Sequence, residues 1–260
     1  MVIRRIRQHA ATHDWFAVGI DVLIVLIGVF LGLQANNWNS ARIAANDAID
    51  YRARLIEDVA ANEQDMAGRL DYYSAARRHA LKALSALETG RAGGEVLLVD
   101  LYQASQINSR SLRRSTYDEL IAAGDLSQVG ERDLRDVAET YYRGLKVIDD
   151  SVTDLPAYRD RIRRELPYQV IARIRERCGD VVRERKGVVL FKLPEQCQLD
   201  LPPALIATAI ARVRSAPGLD RDLSRYIVDL DTRIGNLEGS QGRAVRFDQV
   251  LRSANAGTTG

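Results

Sequence analysis

Side chains that could catalyse a reaction or bind a metal are scarce in this sequence of 260 residues. Histidine occurs only at positions 9, 13 and 79, and cysteine only at positions 178 and 197. Most metal sites and catalytic triads need these residue types at particular spacings, and those spacings are missing. The sequence also lacks a glycine-rich phosphate loop, a nucleophile elbow and an H-E-x-x-H motif. We therefore predict a protein that is not an enzyme and that needs no cofactor or metal.

Each remaining candidate for acid–base or nucleophilic chemistry has a structural explanation. His79 lies within a long predicted helix, so we expect it to be a surface or packing residue. Asp149 and Asp150 lie at the end of another predicted helix, where we expect both to be solvated rather than to act as an acid–base pair. Ser115 is next to a helix-capping pattern and is therefore predicted to be structural.

Basic residues are concentrated in one part of a nearly neutral chain. The sequence has 37 basic and 35 acidic residues, so nucleic acid is not an expected partner. Between Arg159 and Lys192, however, eleven residues are basic and five are acidic. This excess could bind an acidic partner or anionic headgroups, or its arginines could pair with acidic residues of other helices. The arginines that define this basic patch are Arg161, Arg163, Arg164, Arg173, Arg175, Arg177, Arg183 and Arg185.

The two cysteines flank the one segment whose composition favours β-strands. Between Cys178 and Cys197, two valine-rich runs surround Lys186 and Gly187, a plausible turn. We predict a small β-hairpin there, with a disulfide across its base if the compartment is oxidising. The alternative is a pair of separate buried thiols. Two cysteines at this spacing, without histidine, do not predict a metal site.

An apolar segment near the N-terminus predicts a single transmembrane helix. The 19 residues from Trp15 to Leu33 carry one charge and would span about 28 Å as a helix, close to the ~30 Å thickness of the hydrocarbon core. Trp15 and Trp38 would anchor the two ends at the headgroups, so we place the span at residues 15–38. The apolar run is too long for a cleaved signal peptide, and its best cleavage site, before Asn36, has a bulky leucine where a small residue is preferred.

The distribution of charge around this span predicts its orientation. Three arginines lie in the 14 residues before the span, and two follow within about 20 residues of its end. We therefore predict a cytoplasmic tail at residues 1–14 and an exported domain at residues 39–254, followed by a disordered tail at residues 255–260. The expected location is a bacterial inner membrane, with the C-terminal domain in the periplasm.

One face of the predicted span is small and polar. On a helical wheel, Val25, Gly28, Gly32 and Asn36 fall within about 60° of Asp21. The G-x-x-x-G spacing lets two helix backbones approach closely, so we predict that this docking stripe contacts another transmembrane helix. In the alternative interpretation, Asp21 lies near the cytoplasmic edge of the membrane, where it reaches water or is protonated, and the glycine spacing is coincidental.

Beyond the membrane, the sequence predicts a mainly α-helical domain. Helices are predicted over about residues 42–88, 95–108, 116–124, 131–150, 157–177, 205–213 and 219–237. Glu63 and Arg77 interrupt the apolar seam of the first of these, which favours a helical bundle over a long coiled coil. Thr116 and Glu119 have the spacing of a capping box, and Gly124 is expected to end that helix.

Two stretches of the sequence resemble a known family. They are "RRIRQH…THDWFAVGIDVLIVLIGVFLGLQANNWN" near the N-terminus and "RSTYDELIAAGDLS" followed by "RDLRDVAETYY". Together they are similar to an uncharacterised family of bacterial single-pass membrane proteins, classed only as a domain of unknown function, over most of the chain. The resemblance implies an N-terminal span and a helical exported domain. It implies no catalytic residues, cofactor or established activity.

These features predict a role in binding and assembly. The transmembrane helix, surrounded by membrane lipid, is expected to dock with itself or with subunits of a larger membrane complex. The exported helical domain would then be an interaction or accessory module. The alternative function is a ligand-sensing helical bundle. It would have to signal through a separate partner, because a 14-residue cytoplasmic tail has no room for an output domain.

Overall fold

The chain folds mainly as α-helices with one antiparallel pair of strands. A computed structural model describes residues 15–91, 93–124, 126, 130–153 and 155–256. The predicted cytoplasmic tail and the last four residues of the predicted disordered tail lie outside these described residues. The elements are α1 (Trp15–Thr89), α2 (Glu95–Ala104), α3 (Ser115–Ala123), α4 (Arg132–Thr153), α5 (Ala157–Glu165), α6 (Tyr168–Arg177), β1 (Val181–Arg185), β2 (Val188–Lys192), α7 (Pro203–Ser215) and α8 (Leu219–Ala256).

The chain divides into two units, and the first contains a candidate membrane span. This unit ends at Asp50, within α1, and the second begins at Tyr51. The N-terminal part of α1 is long and apolar enough to cross a membrane. Its large apolar side chains between Ile20 and Leu33 are 41–63% exposed. Such a continuous apolar surface is favourable in lipid and unfavourable in water, which agrees with the predicted span.

In the second unit, the predicted apolar seam of α1 is buried. Val59, Met66, Tyr73 and Ala80 are all fully or almost fully buried. Arg77, which interrupts the apolar seam in the sequence, forms an ion pair with Asp231 of α8. Glu63 is also close to α8, where burial and the nearby carboxylate of Asp248 raise the pKa of Glu63. The charged interruptions therefore lie at contacts with α8, as the prediction of a bundle requires.

An extended segment, residues 106–114, packs against polar side chains along one face of α1. We call this face the polar stripe; it consists of Asn62, Asp65, Arg69 and Tyr73. This clasp segment has no regular secondary structure, so its peptide groups need other partners. The buried side chain of Asn62 supplies two of them: its Nδ2 donates to the carbonyl oxygen of Arg113, and its Oδ1 accepts from the Arg113 N–H, both at 2.7 Å. Asn62 Nδ2 also donates to the hydroxyl of Tyr141 on α4 at 3.0 Å. One amide thus joins α1, the clasp segment and α4.

Three further side chains of α1 extend this contact toward the start of the clasp segment. Arg69 is fully buried and donates to the carbonyl oxygen of Arg110 at 2.6 Å, while Asp65 pairs with Arg69 at 2.9 Å. The hydroxyl of Tyr73 donates to the carbonyl oxygen of Asn108 at 3.2 Å. The polar stripe of α1 therefore provides hydrogen bonds that the clasp segment would otherwise form with a neighbouring β-strand.

The predicted hairpin and disulfide are both present. β1 and β2 pair antiparallel, from Val181 opposite Lys192 to Arg185 opposite Val188. Lys186 and Gly187 have φ values of 49° and 73°, as a two-residue type I′ turn requires. A disulfide joins Cys178 to Cys197, whose Cα atoms are 5.8 Å apart. The clasp segment also contacts this hairpin, because Arg110 lies over the ring of Phe191 and Arg113 donates to the carbonyl oxygen of Gly187.

The predicted capping box is wrong. Helix α3 begins at Ser115, and no side chain caps its N-terminus. Thr116 instead donates to Asp58 of α1 at 2.7 Å, and Glu119 pairs with Arg54. These side chains have the right types and spacing for a cap but make tertiary contacts to α1. The end of the helix is as predicted, since Gly124 adopts the left-handed conformation.

Three other helix boundaries differ from the prediction for physical reasons. Helix α2 ends at Ala104 rather than near residue 108, because the following residues enter the clasp segment. The basic helix is divided into α5 and α6 at Pro167, which lacks the N–H that a continuous helix needs. Helix α8 extends well beyond Leu237 to Ala256, two residues into the predicted disordered tail. Its glycines reduce helix propensity, but burial of residues such as Phe247 outweighs that cost.

We predict that replacing Cys178 and Cys197 by serine lowers the free energy of unfolding by about 3 kcal/mol, the amount expected for closing a loop of this length. The measurement is denaturant unfolding of the full chain in mild detergent, with circular dichroism as the signal. Addition of reductant to the wild-type protein should reproduce the loss. Equal midpoints for the wild type and the double variant would contradict a stabilising disulfide.

We predict that Asn62→Leu destabilises the protein by about 3 kcal/mol, because it removes the two hydrogen bonds of this buried amide to the backbone of Arg113 and a third to Tyr141, at about 1 kcal/mol each. Glu57→Leu is the matched control, since Glu57 is on an exposed face of the same helix. Its effect should stay within about 0.5 kcal/mol. Equal losses in the two variants, measured by the same unfolding assay, would refute the role of Asn62.

Candidate functional site

The histidine and aspartate candidates all make contacts within the fold. His79 is buried, and its Nδ1 lies 2.6 Å from Asp100 while its Nε2 lies 3.0 Å from the carbonyl oxygen of Pro194. Each ring nitrogen therefore has a polar partner within hydrogen-bond distance. His79 thus joins α1, α2 and the segment after β2, which confirms its predicted packing role.

The neighbouring aspartates differ from each other. Asp150 pairs with Lys146 of its own helix at 2.9 Å and is solvated, as predicted. Asp149 is not: its carboxylate accepts from the backbone N–H of Leu112 in the clasp segment, and burial raises the pKa of Asp149. The expectation of two solvated helix-end residues is therefore wrong for Asp149, because a distant segment packs over it.

The docking stripe lies on one continuous helix. Asp21, Val25, Gly28, Gly32 and Asn36 all fall within α1 and are all exposed. Apart from the backbone of the surrounding helix turn and the two neighbouring residues, a Cβ atom added at either glycine would meet no atom within 4 Å. The surface is thus open enough for another helix backbone to approach it closely.

The basic patch divides into paired and unpaired arginines. Arg161, Arg164 and Arg173 form ion pairs with acidic residues of their own helices, and Arg177 pairs with Asp200 in the segment before α7. Pairing through acidic residues of other helices is therefore the wrong explanation for most of them. In the described part of the chain, the patch arginines without a carboxylate partner are Arg163, Arg175, Arg183 and Arg185.

Two of these unpaired arginines line a cavity of about 520 Å³. We call it the arginine cavity, because Arg163 of α5 and Arg175 of α6 meet there with Arg159 of α5. Other lining residues come from α2, the clasp segment, α6 and the segment between α6 and β1, namely Tyr102, Gln103, Gln106, Tyr168, Ile171, Cys178, Gly179 and Asp180. The cavity therefore brings together residues that are far apart in the sequence.

The sequence-based definition of the patch missed Arg159 as a site residue. Arg159 and Arg163 are four residues apart and therefore lie on the same face of α5. This spacing is the one local signal from which Arg159 could have been identified. Gln103 and Gln106 gave no signal, because their position in the cavity depends on how α2 and the clasp segment pack.

Comparison with known proteins adds no assignment: no family model, curated protein or solved structure matches this chain. Among the described residues, no group of three histidine, cysteine or acidic side chains is placed to hold a metal ion. The functional candidates are thus two surfaces of different chemistry, the docking stripe and the arginine cavity.

Proposed function

We propose that this protein is a membrane-anchored interaction or accessory protein of a bacterial inner membrane. In this role, α1 crosses the membrane and its docking stripe packs against another copy of itself or against a subunit of a larger membrane complex. The second unit then serves as a helical interaction module in the periplasm. The resemblance to a family of single-pass membrane proteins agrees with this role and adds no activity to it.

The observation that carries the proposal is the arrangement of small and polar residues on an exposed apolar helix. A carboxylate within the hydrocarbon core costs on the order of 2.5–3.5 kcal/mol on insertion scales, and contact with a partner helix offsets part of that cost. Gly28 and Gly32 share the face of Asp21, and the space above both glycines is open. Close backbone approach at such positions favours helix association in membranes.

Export is supported by a separate observation. Disulfides persist in oxidising compartments and are rare in the bacterial cytoplasm. Cys178 and Cys197 are joined by a disulfide in the second unit. A periplasmic location of this unit, with the N-terminus in the cytoplasm, accounts for both the disulfide and the bias of arginines before the span.

We predict that replacing Gly28 and Gly32 together by leucine converts an oligomer or complex into a monomer. The measurement is the mass of the protein extracted in mild detergent, by light scattering with the detergent contribution subtracted. Gly19→Leu is the matched control, because Gly19 lies about 160° from Asp21 around the helix and should leave the mass unchanged. A monomeric wild type with nothing bound would overturn the proposed docking.

We predict that a reporter enzyme that is active only after export is active when fused after Gly260. The same enzyme fused before Met1 should be inactive, because that end is expected in the cytoplasm. The opposite pattern of activity would show that the orientation is reversed. Activity at neither end would contradict the single crossing that the proposal requires.

A further inference from the structure

We propose that the arginine cavity binds a small multivalent oxyanion, a molecule with two or more carboxylate or phosphate groups. The lining contains three guanidinium groups and a single carboxylate, that of Asp180. Within the described residues, none of the three arginines forms an ion pair. Asp180 accepts from the hydroxyl of Tyr72 at 3.2 Å and also interacts with the charge of Arg159, so it offsets at most one of the three positive charges. The cavity thus has an excess of positive charge that its own residues do not neutralise.

Two of the guanidinium groups are held in place while most of their donors stay free. Arg159 donates from Nη1 to the carbonyl oxygen of Ser105 at 2.6 Å. Arg163 donates from Nη1 to the carbonyl oxygen of Arg159 at 3.3 Å and lies over the ring of Tyr102. Each therefore keeps Nε and Nη2 available for a ligand. Arginines whose position is fixed in advance lose little entropy when they bind carboxylate or phosphate oxygens.

The electrostatics of Arg159 also favour an anion. Burial lowers the pKa of Arg159, and the positive charge of Arg163 lowers it further. Two neighbouring cations in a partly desolvated site repel each other, and a bound anion would remove that repulsion. On an ordinary exposed surface, by contrast, such arginines would form ion pairs or be fully hydrated, and an anion would relieve no repulsion.

The size and rim of the cavity indicate a small molecule. Its volume of about 520 Å³ falls within the range of ligand sites, about 300–1,000 Å³. Tyr168 lines it although its side chain is 80% exposed, so an aromatic ring is available at the opening without being needed for the core. Gln106 adds an amide to the same wall. Anion binding here would be independent of helix docking in the membrane, because the lining residues all belong to the second unit.

The test is isothermal titration of the full chain, in an uncharged detergent and at constant ionic strength, with pyrophosphate and with citrate as probes. We expect saturable binding of at least one probe at one site per chain. Pyrophosphate binding without citrate binding would identify phosphate as the preferred group, and the reverse result would identify carboxylate. No saturable binding of either probe would overturn the proposal.

Arg175→Gln should weaken this binding about tenfold, the loss expected for one charge-assisted contact. Arg175 is exposed and makes no contact that the described fold depends on, so the variant should fold normally. Arg173→Gln is the matched control: Arg173 is on the same helix, pairs with Glu176 and does not line the cavity. Unchanged affinity in Arg175→Gln, or an equal loss in both variants, would show that the anion does not bind in the cavity.

Discussion

The bond between the Asn62 amide and the backbone of Arg113 is the contact on which much of the second unit depends. It fixes the clasp segment to α1, and the clasp segment in turn contacts the hairpin through Arg110 and Arg113. The hairpin follows directly from the disulfide-bonded Cys178, which also lines the arginine cavity. A buried amide on one helix is thus connected, through the clasp segment and the hairpin, to elements that line the cavity.

This arrangement works because two different backbone repeats have matching lengths. From Asn62 to Tyr73, the helix rises about 16 Å at 1.5 Å per residue. From Arg113 back to Asn108, an extended chain covers about 16 Å at 3.3 Å per residue. Side chains on one face of α1 therefore meet peptide groups of the clasp segment at both ends. A shift of the segment by one residue would leave several buried groups unpaired, so the polar stripe fixes the register.

Local patterns predicted the elements well and their polar contacts poorly. The type I′ turn at Lys186 and Gly187 and the left-handed Gly124 follow from residues adjacent in sequence. The polar stripe does not: Asn62 and Arg69 have the composition of a solvated helix face, but both are buried and donate hydrogen bonds to the distant clasp segment. The false capping box has the same origin, because Thr116 had a better partner on α1.

The arginine cavity was partly visible in the sequence for a related reason. Excess charge is a property of composition, so the basic patch could be found without a structure. Three of the four paired patch arginines have a partner one turn away, such as Glu165 for Arg161, and that too is a local property. The cavity itself depends on α2, α5 and α6 meeting, and no local pattern contains that information.

The two candidate surfaces place different demands on a function. Assembly in the membrane needs only the docking stripe, since helix association requires no change in the second unit. Sensing needs more, because a ligand shifts an equilibrium only by the difference between its affinities for two conformations. In the present conformation, the clasp segment forms hydrogen bonds with the buried polar side chains of α1. In a second conformation, these side chains would need other hydrogen-bond partners. This cost favours a second unit that stays rigid, as the proposed accessory role would allow, over one that rearranges to signal.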